Sequence, residues 1–155
     1  MKPWVLYTIG YQGISIEELI GDLKQNNVKC IVDVRRNAIS RKQGFSKESL
    51  RKSCQAAEIE YFHIPQLGIE SKMRRGLKAN WEYVKLLDTY EKELLPQKEE
   101  YINELRRIVE SQVCALFCFE ATPQLCHRSR LAAKLEEISH LRIRHLEPAW
   151  DLAST

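Results

Sequence analysis

Five short apolar runs recur along the chain, and almost every interval between them carries helical periodicity. The runs are WVLYTI, KCIVDV, IEYFHI, VCALFCF and LRIRHL. They are rich in β-branched and aromatic residues and short enough to be strands buried in a sheet. The first interval holds SIEELIGDLKQNN, where Ser15 and Glu18 have capping-box spacing and Ile16, Leu19, Ile20 and Leu23 form one apolar stripe. Ser46 opens a second helix through Leu50 and Cys54 to Ala57. NWEYVKLLDTYEKELL predicts a helix stopped by Pro96, and 98–110 predicts another with Tyr101, Leu105, Ile108 and Val109 inward. A last helix is expected over 128–138. This alternation predicts an α/β fold: a single three-layer sandwich around a mostly parallel, doubly wound sheet of about five strands. A chain of 155 residues suits one domain, taken as 1–155.

That topology also sorts the polar residues. Gly10 and Tyr11, then Asp33 to Arg35, then His63 to Gly68, then Cys118 to Arg128 each follow the carboxyl end of an expected strand. Ligands bind at that edge of open parallel sheets. One pocket is therefore expected to hold Gly10, Tyr11, Asp33, Arg35, Cys118, Glu120, Cys126, His127 and Arg128. Residues Gln66 to Asn80 read as a long basic loop, and loops of that length in compact domains are usually functional. With Arg41, this loop is expected to cover the pocket.

Net charge is only +3, but its distribution is uneven. Arg35, Arg36, Arg41, Lys42, Lys47, Arg51 and Lys52 face a single acid, Glu48, and Lys72, Arg74, Arg75 and Lys78 follow without one. A positive side suits an anionic small molecule or nucleic acid as partner. Phe45 and Trp81 are the few aromatics expected near these loops, a thin set of stacking platforms for single strands. The opening MKPWVLYTIGY has neither the length nor the flanks of a signal peptide, and no run spans a membrane, so a cytoplasmic location is expected. The five cysteines, an odd count, are then expected to be reduced, with Cys30, Cys54 and Cys114 as core residues.

The stretches TIGYQG, IVDVRRNAISRKQGFSKESL, IEYFHIPQLG and LFCFEATPQLCHRSRLA occur in this order between Tyr7 and Leu146. Together they resemble the family known as domain of unknown function 488, in a variant with GYQG in place of a histidine-containing first loop. The resemblance implies an α/β cytoplasmic protein with no assigned activity, cofactor or mechanism.

The loop from Cys118 to Arg128 admits three chemistries. In the first, Arg128 at a helix start grips an anion with help from Arg35 and Arg41, while Asp33 and Glu120 serve as acid, base or nucleophile. This makes the protein an enzyme on a phosphorylated or otherwise anionic substrate, with a nucleotide or nucleic acid favoured. In the second, Cys118 or Cys126 is a nucleophile, since the layout resembles rhodanese and cysteine-phosphatase domains. Glu120 opposes a Cys118 thiolate, and a helix start favours one at Cys126. In the third, Cys118, Cys126, His127 and His63 hold a metal. Seven residues between the cysteines, and an adjacent cysteine–histidine pair, depart from usual zinc spacing, so no metal is assigned. Plainer roles stay open: Asp33 and Arg35 as a salt bridge, His127 on a buried carbonyl, Tyr11 as a packing ring, Cys118 as core filler. A nucleic-acid-binding module without catalysis is the rival to the enzyme.

Overall fold

The computed structural model of the chain describes residues 3–147. Five parallel strands form one sheet: β1 (Val5–Gly10), β2 (Cys30–Asp33), β3 (Glu60–His63), β4 (Cys114–Cys118) and β5 (Arg142–Leu146), in the order β3-β2-β4-β1-β5. The helices are α1 (Ile16–Gln25), α2 (Lys47–Ala56), α3 (Ser71–Arg74), α4 (Asn80–Thr89), α5 (Glu99–Ser111) and α6 (His127–Ser139). No helix among the described residues is long and apolar enough to cross a membrane.

Side chains alternate across each strand, so the sheet has two apolar faces. Tyr7, Ile9, Ile31, Ala115 and Phe117 pack with Leu19 and Leu23 of α1 and Leu50 and Cys54 of α2. Leu6, Val32, Leu116 and Cys118 pack on the other face with Leu87 of α4, Leu105 and Val109 of α5, and Leu131, Ala132 and Leu135 of α6. The expected sandwich is the observed one. The Ser15–Glu18 capping box forms in full. Cys30, Cys54 and Cys114 are free, buried thiols.

Two expectations need adjustment. The segment 66–80 is not one loop: a 3₁₀ turn spans Pro65–Leu67, and α3 occupies Ser71–Arg74. Phe45 is not a loop-tip aromatic but fully buried, its ring stacked 4.5 Å from Tyr11, whereas Trp81 is exposed. Apolar burial outweighs anything a surface position offers that ring.

The strand order fixes the site. β4 lies between β1 and β2, which lead into α1 and α2 on one face, whereas β4 leads into α6 on the other. A crevice opens where adjacent connections diverge in this way. Tyr11 N–H donates to Cys118 O at 3.1 Å and Gln12 N–H to Phe119 O at 2.8 Å, so the two chains stay zipped beyond the sheet. Gly10 permits this approach, because a Cβ there would overlap the Glu120 carbonyl.

Candidate functional site at the carboxyl edge of the sheet

A cleft of about 180 Å³ lies at that divergence. Of the nine residues expected together, Tyr11, Arg35, Cys118, Glu120 and His127 line it. Gly10, Asp33, Cys126 and Arg128 do not reach its wall and pack behind it. Arg41 is exposed and lies outside the lining. The segment 66–80 does contribute, through Ile69, Ser71 and Arg74. The remaining wall is Arg36, Asn37, Ile39 and Phe119. A larger groove of about 550 Å³ runs between α5 and α6, lined by a mixture of charges including Glu99, Arg106, Arg130 and Glu137. It is not at the strand ends.

Around Asp33 and Arg35, on the β2 side, the polar groups are locked. The Asp33 carboxylate accepts from Arg35 Nε at 2.9 Å and Nη2 at 2.7 Å, from the Arg35 backbone N–H at 3.1 Å, and from the Tyr61 hydroxyl. Arg35 Nη1 donates to Phe45 O at 2.7 Å. Burial pulls the Arg35 pKa down, but the Asp33 bond and charge more than reverse it, and the net direction is upward. Burial and the Asp33 charge also push the Tyr61 phenol well up. The guanidinium lies over the rings of Tyr11 and Phe117, at 5.4 and 5.0 Å from their centroids. Asp33 and Arg35 are thus the salt bridge that the spacing allowed, and Tyr11 is a packing ring between Phe45 and Phe117.

Arg128 is also saturated. It is fully buried and donates from Nε to Thr8 Oγ1 at 3.2 Å, from Nη1 to Glu120 O and, at 3.4 Å, to Cys118 Sγ, and from Nη2 to Ala121 O at 3.4 Å. Burial lowers its pKa to about 10, against the pull of Glu120 and Glu147. Its guanidinium stitches the β4–α6 loop to β1 instead of facing the cleft.

Open valences remain elsewhere around the cleft. Arg74 makes two long contacts, from Nη2 to His127 Nδ1 at 3.4 Å and from Nη1 to Glu120 Oε1 at 4.0 Å. Arg36 is exposed and has no bonded partner among the described residues. Glu120 Oε2 lies 3.7 Å from Cys118 Sγ. His127 Nε2 sits 2.7 Å from Val34 O, so it must carry the proton and donate it, leaving Nδ1 as the bare nitrogen. Burial drives its pKa down to about 3, so the ring is neutral. The buried-carbonyl role open to His127 is the one observed.

Cys118 and Cys126 are joined through their sulfurs, where reduced thiols were expected. The 3₁₀ turn Pro123–Leu125 bends the loop back, so Cys126 at the start of α6 returns to the end of β4. Sequence separation alone conceals that return. His63 instead bonds Arg35 O at 2.7 Å, on the β3 side.

Sequence reasoning named Arg36 only as one charge of a basic run, and held Ser71 and Arg74 only within the basic segment expected to cover the pocket. Arg36 sits one residue beyond Arg35 on a chain leaving a strand, where successive side chains point apart. Arg74 was visible only as one charge among several, since an isolated turn of helix has too few residues to show periodicity.

The fold and the rim together define a doubly wound α/β protein with a polar cleft at the carboxyl edge of its sheet. The chain belongs to the family described as domain of unknown function DUF488, whose model matches residues 15–135. Asp33 to Arg36, Arg74 and the whole Cys118–Arg128 loop fall inside the match, whereas Gly10 and Tyr11 precede it. No curated protein and no solved structure gives a significant match.

Proposed function

We propose that the protein is an enzyme acting on a phosphorylated or otherwise anionic substrate, a nucleotide or nucleic-acid terminus being favoured, bound in the cleft beyond the carboxyl ends of β2 and β4. The observation that carries this reading is the contrast among arginines. Arg35 and Arg128 are spent on internal partners, whereas Arg74 and Arg36 keep donors free at a polar cleft. Two guanidinium groups with free donors suit bidentate recognition of a phosphoryl group. Glu120 is the carboxylate at that wall, about one-quarter exposed and facing Arg74. It takes the acid–base role, and Asp33, under Arg35, holds that arginine in place. Exposed Phe119 and Ile39 border the same cleft and offer apolar area to a base.

Titration calorimetry with inorganic phosphate, nucleoside monophosphates and a 5′-phosphorylated oligonucleotide tests this reading. Arg74→Ala should weaken binding roughly tenfold or more, the scale of one charge-assisted hydrogen bond. Glu120→Gln should retain binding and lower the maximal rate of any turnover found in a nucleotide panel. Unchanged binding by Arg74→Ala would remove the reading.

One observation favours the non-catalytic nucleic-acid module as a second reading. The two basic segments meet: Asn37 Nδ2 lies 3.5 Å from Ser71 Oγ, and Gly68 packs against the Arg36 backbone so closely that a Cβ would overlap it. They form one continuous edge that could track a phosphate backbone. A steep salt dependence on random oligonucleotides, without turnover, would support it.

A further inference from the structure

We propose that Cys118, Cys126 and His127, in the dithiol state of the protein, bind a zinc-type divalent ion whose fourth position opens into the arginine cleft. The three ligand atoms, two Sγ and one imidazole nitrogen, lie within 4.8 Å of one another, and all three residues are buried. Two thiolates and an imidazole are a donor set suited to zinc, and three protein ligands with one open position mark its catalytic sites.

The surroundings of His127 argue for a ligand and not merely a packed ring. Its Nε2–H donates to Val34 O at 2.7 Å, which turns the lone pair of Nδ1 toward Cys126 Sγ at 3.9 Å. Metal-bound histidines are oriented by this kind of bond to a backbone carbonyl. Arg128 Nη1 donates to Cys118 Sγ at 3.4 Å, and Cys126 occupies the N-cap of α6 with no side-chain hydrogen bond to the helix. A guanidinium and a helix start both favour thiolates over thiols.

The two Cα atoms stand 7.6 Å apart. Oxidised and metal-bound forms exclude each other, because the ion requires both thiolates; its binding releases one proton from each thiol that starts protonated. Cys118 and His127 line the cleft while Cys126 lies behind, so the remaining coordination position faces the cleft beside Glu120. Arg74, one-third exposed, is held at Nδ1 only by a long contact of 3.4 Å, which the ion would displace.

The site does not rest on the anion reading, and cobalt tests it without any substrate. Full-length protein is reduced with a phosphine, its five thiols are counted, and Co²⁺ is titrated anaerobically. One equivalent should produce sulfur-to-cobalt charge-transfer absorption and intense visible bands of tetrahedral cobalt. Cys118→Ser and Cys126→Ser should each reduce the charge-transfer intensity, and His127→Gln should weaken binding roughly tenfold or more. Should those buried substitutions prevent folding, alkylation of the reduced wild-type protein with and without Zn²⁺ decides the question. Zinc should protect Cys118 and Cys126 and leave Cys30, Cys54 and Cys114 unaffected. Fully reduced protein without the cobalt spectrum, or with zinc protection at other cysteines, would overturn the proposal.

Discussion

The two sides of the cleft are built from similar residues and behave differently. On the β2 side, Asp33, Arg35, Tyr61 and the Phe45 carbonyl close a network in which the carboxylate accepts from side chain and backbone and the guanidinium is held at both ends. On the β4–α6 side, Arg74, Glu120 and His127 meet across 3.4–4.0 Å, too far for strong bonds. A closed network resists change and gives rigidity. An open one keeps donors and acceptors for something outside the protein. The carboxylate and arginine that stand out in the sequence, Asp33 and Arg35, support the site, and the less conspicuous Arg74 and Arg36 face it.

This contrast sets the order of expected effects. Asp33→Ala should cost the most, about 3–5 kcal/mol in urea unfolding, because it leaves Arg35 buried without its counter-charge. A loss below about 1 kcal/mol would show that the β2 side is not closed in the sense described. Gly10→Ala should come next, at about 1–3 kcal/mol, by forcing its Cβ against the Glu120 carbonyl. It should also disturb phosphate binding, since Glu120 and Cys118 sit on the displaced loop.

Arg74→Ala should reverse the pattern. Its stability should stay within about 0.5 kcal/mol of the parent, while phosphate affinity falls. Both stability and affinity dropping together would make Arg74 a structural residue like Arg35. The smallest effect is expected for Arg41→Ala: no change in phosphate affinity, and at most a shallower salt dependence with oligonucleotides, because Arg41 lies outside the cleft wall.

What the sequence disclosed follows the range of the forces involved. Strands and helices came from local periodicity, and the two-faced sheet from their alternation. The Ser15–Glu18 cap is likewise local and was legible at once. Which strands adjoin is a long-range matter: nothing in WVLYTI announces that it lies between VCALFCF and LRIRHL. The polar residues were correctly brought to one edge, yet their directions were not legible. Arg128 at a helix start could face solvent or turn beneath the loop, and the free carbonyls of Glu120 and Ala121 draw it beneath. The return of Cys126 to Cys118 depends on a single 3₁₀ turn of Pro123–Leu125, which spacing arguments do not see.

Crystals of the protein grown or soaked with tungstate, a heavy analogue of phosphate, test the central claim most directly. The account predicts an anion in the cleft beyond the ends of β2 and β4, within hydrogen-bonding distance of the Arg74 and Arg36 guanidinium groups and beside Glu120. An anion held instead by Arg106, Arg130 and Lys134 in the α5–α6 groove, with the cleft arginines uninvolved, would contradict it.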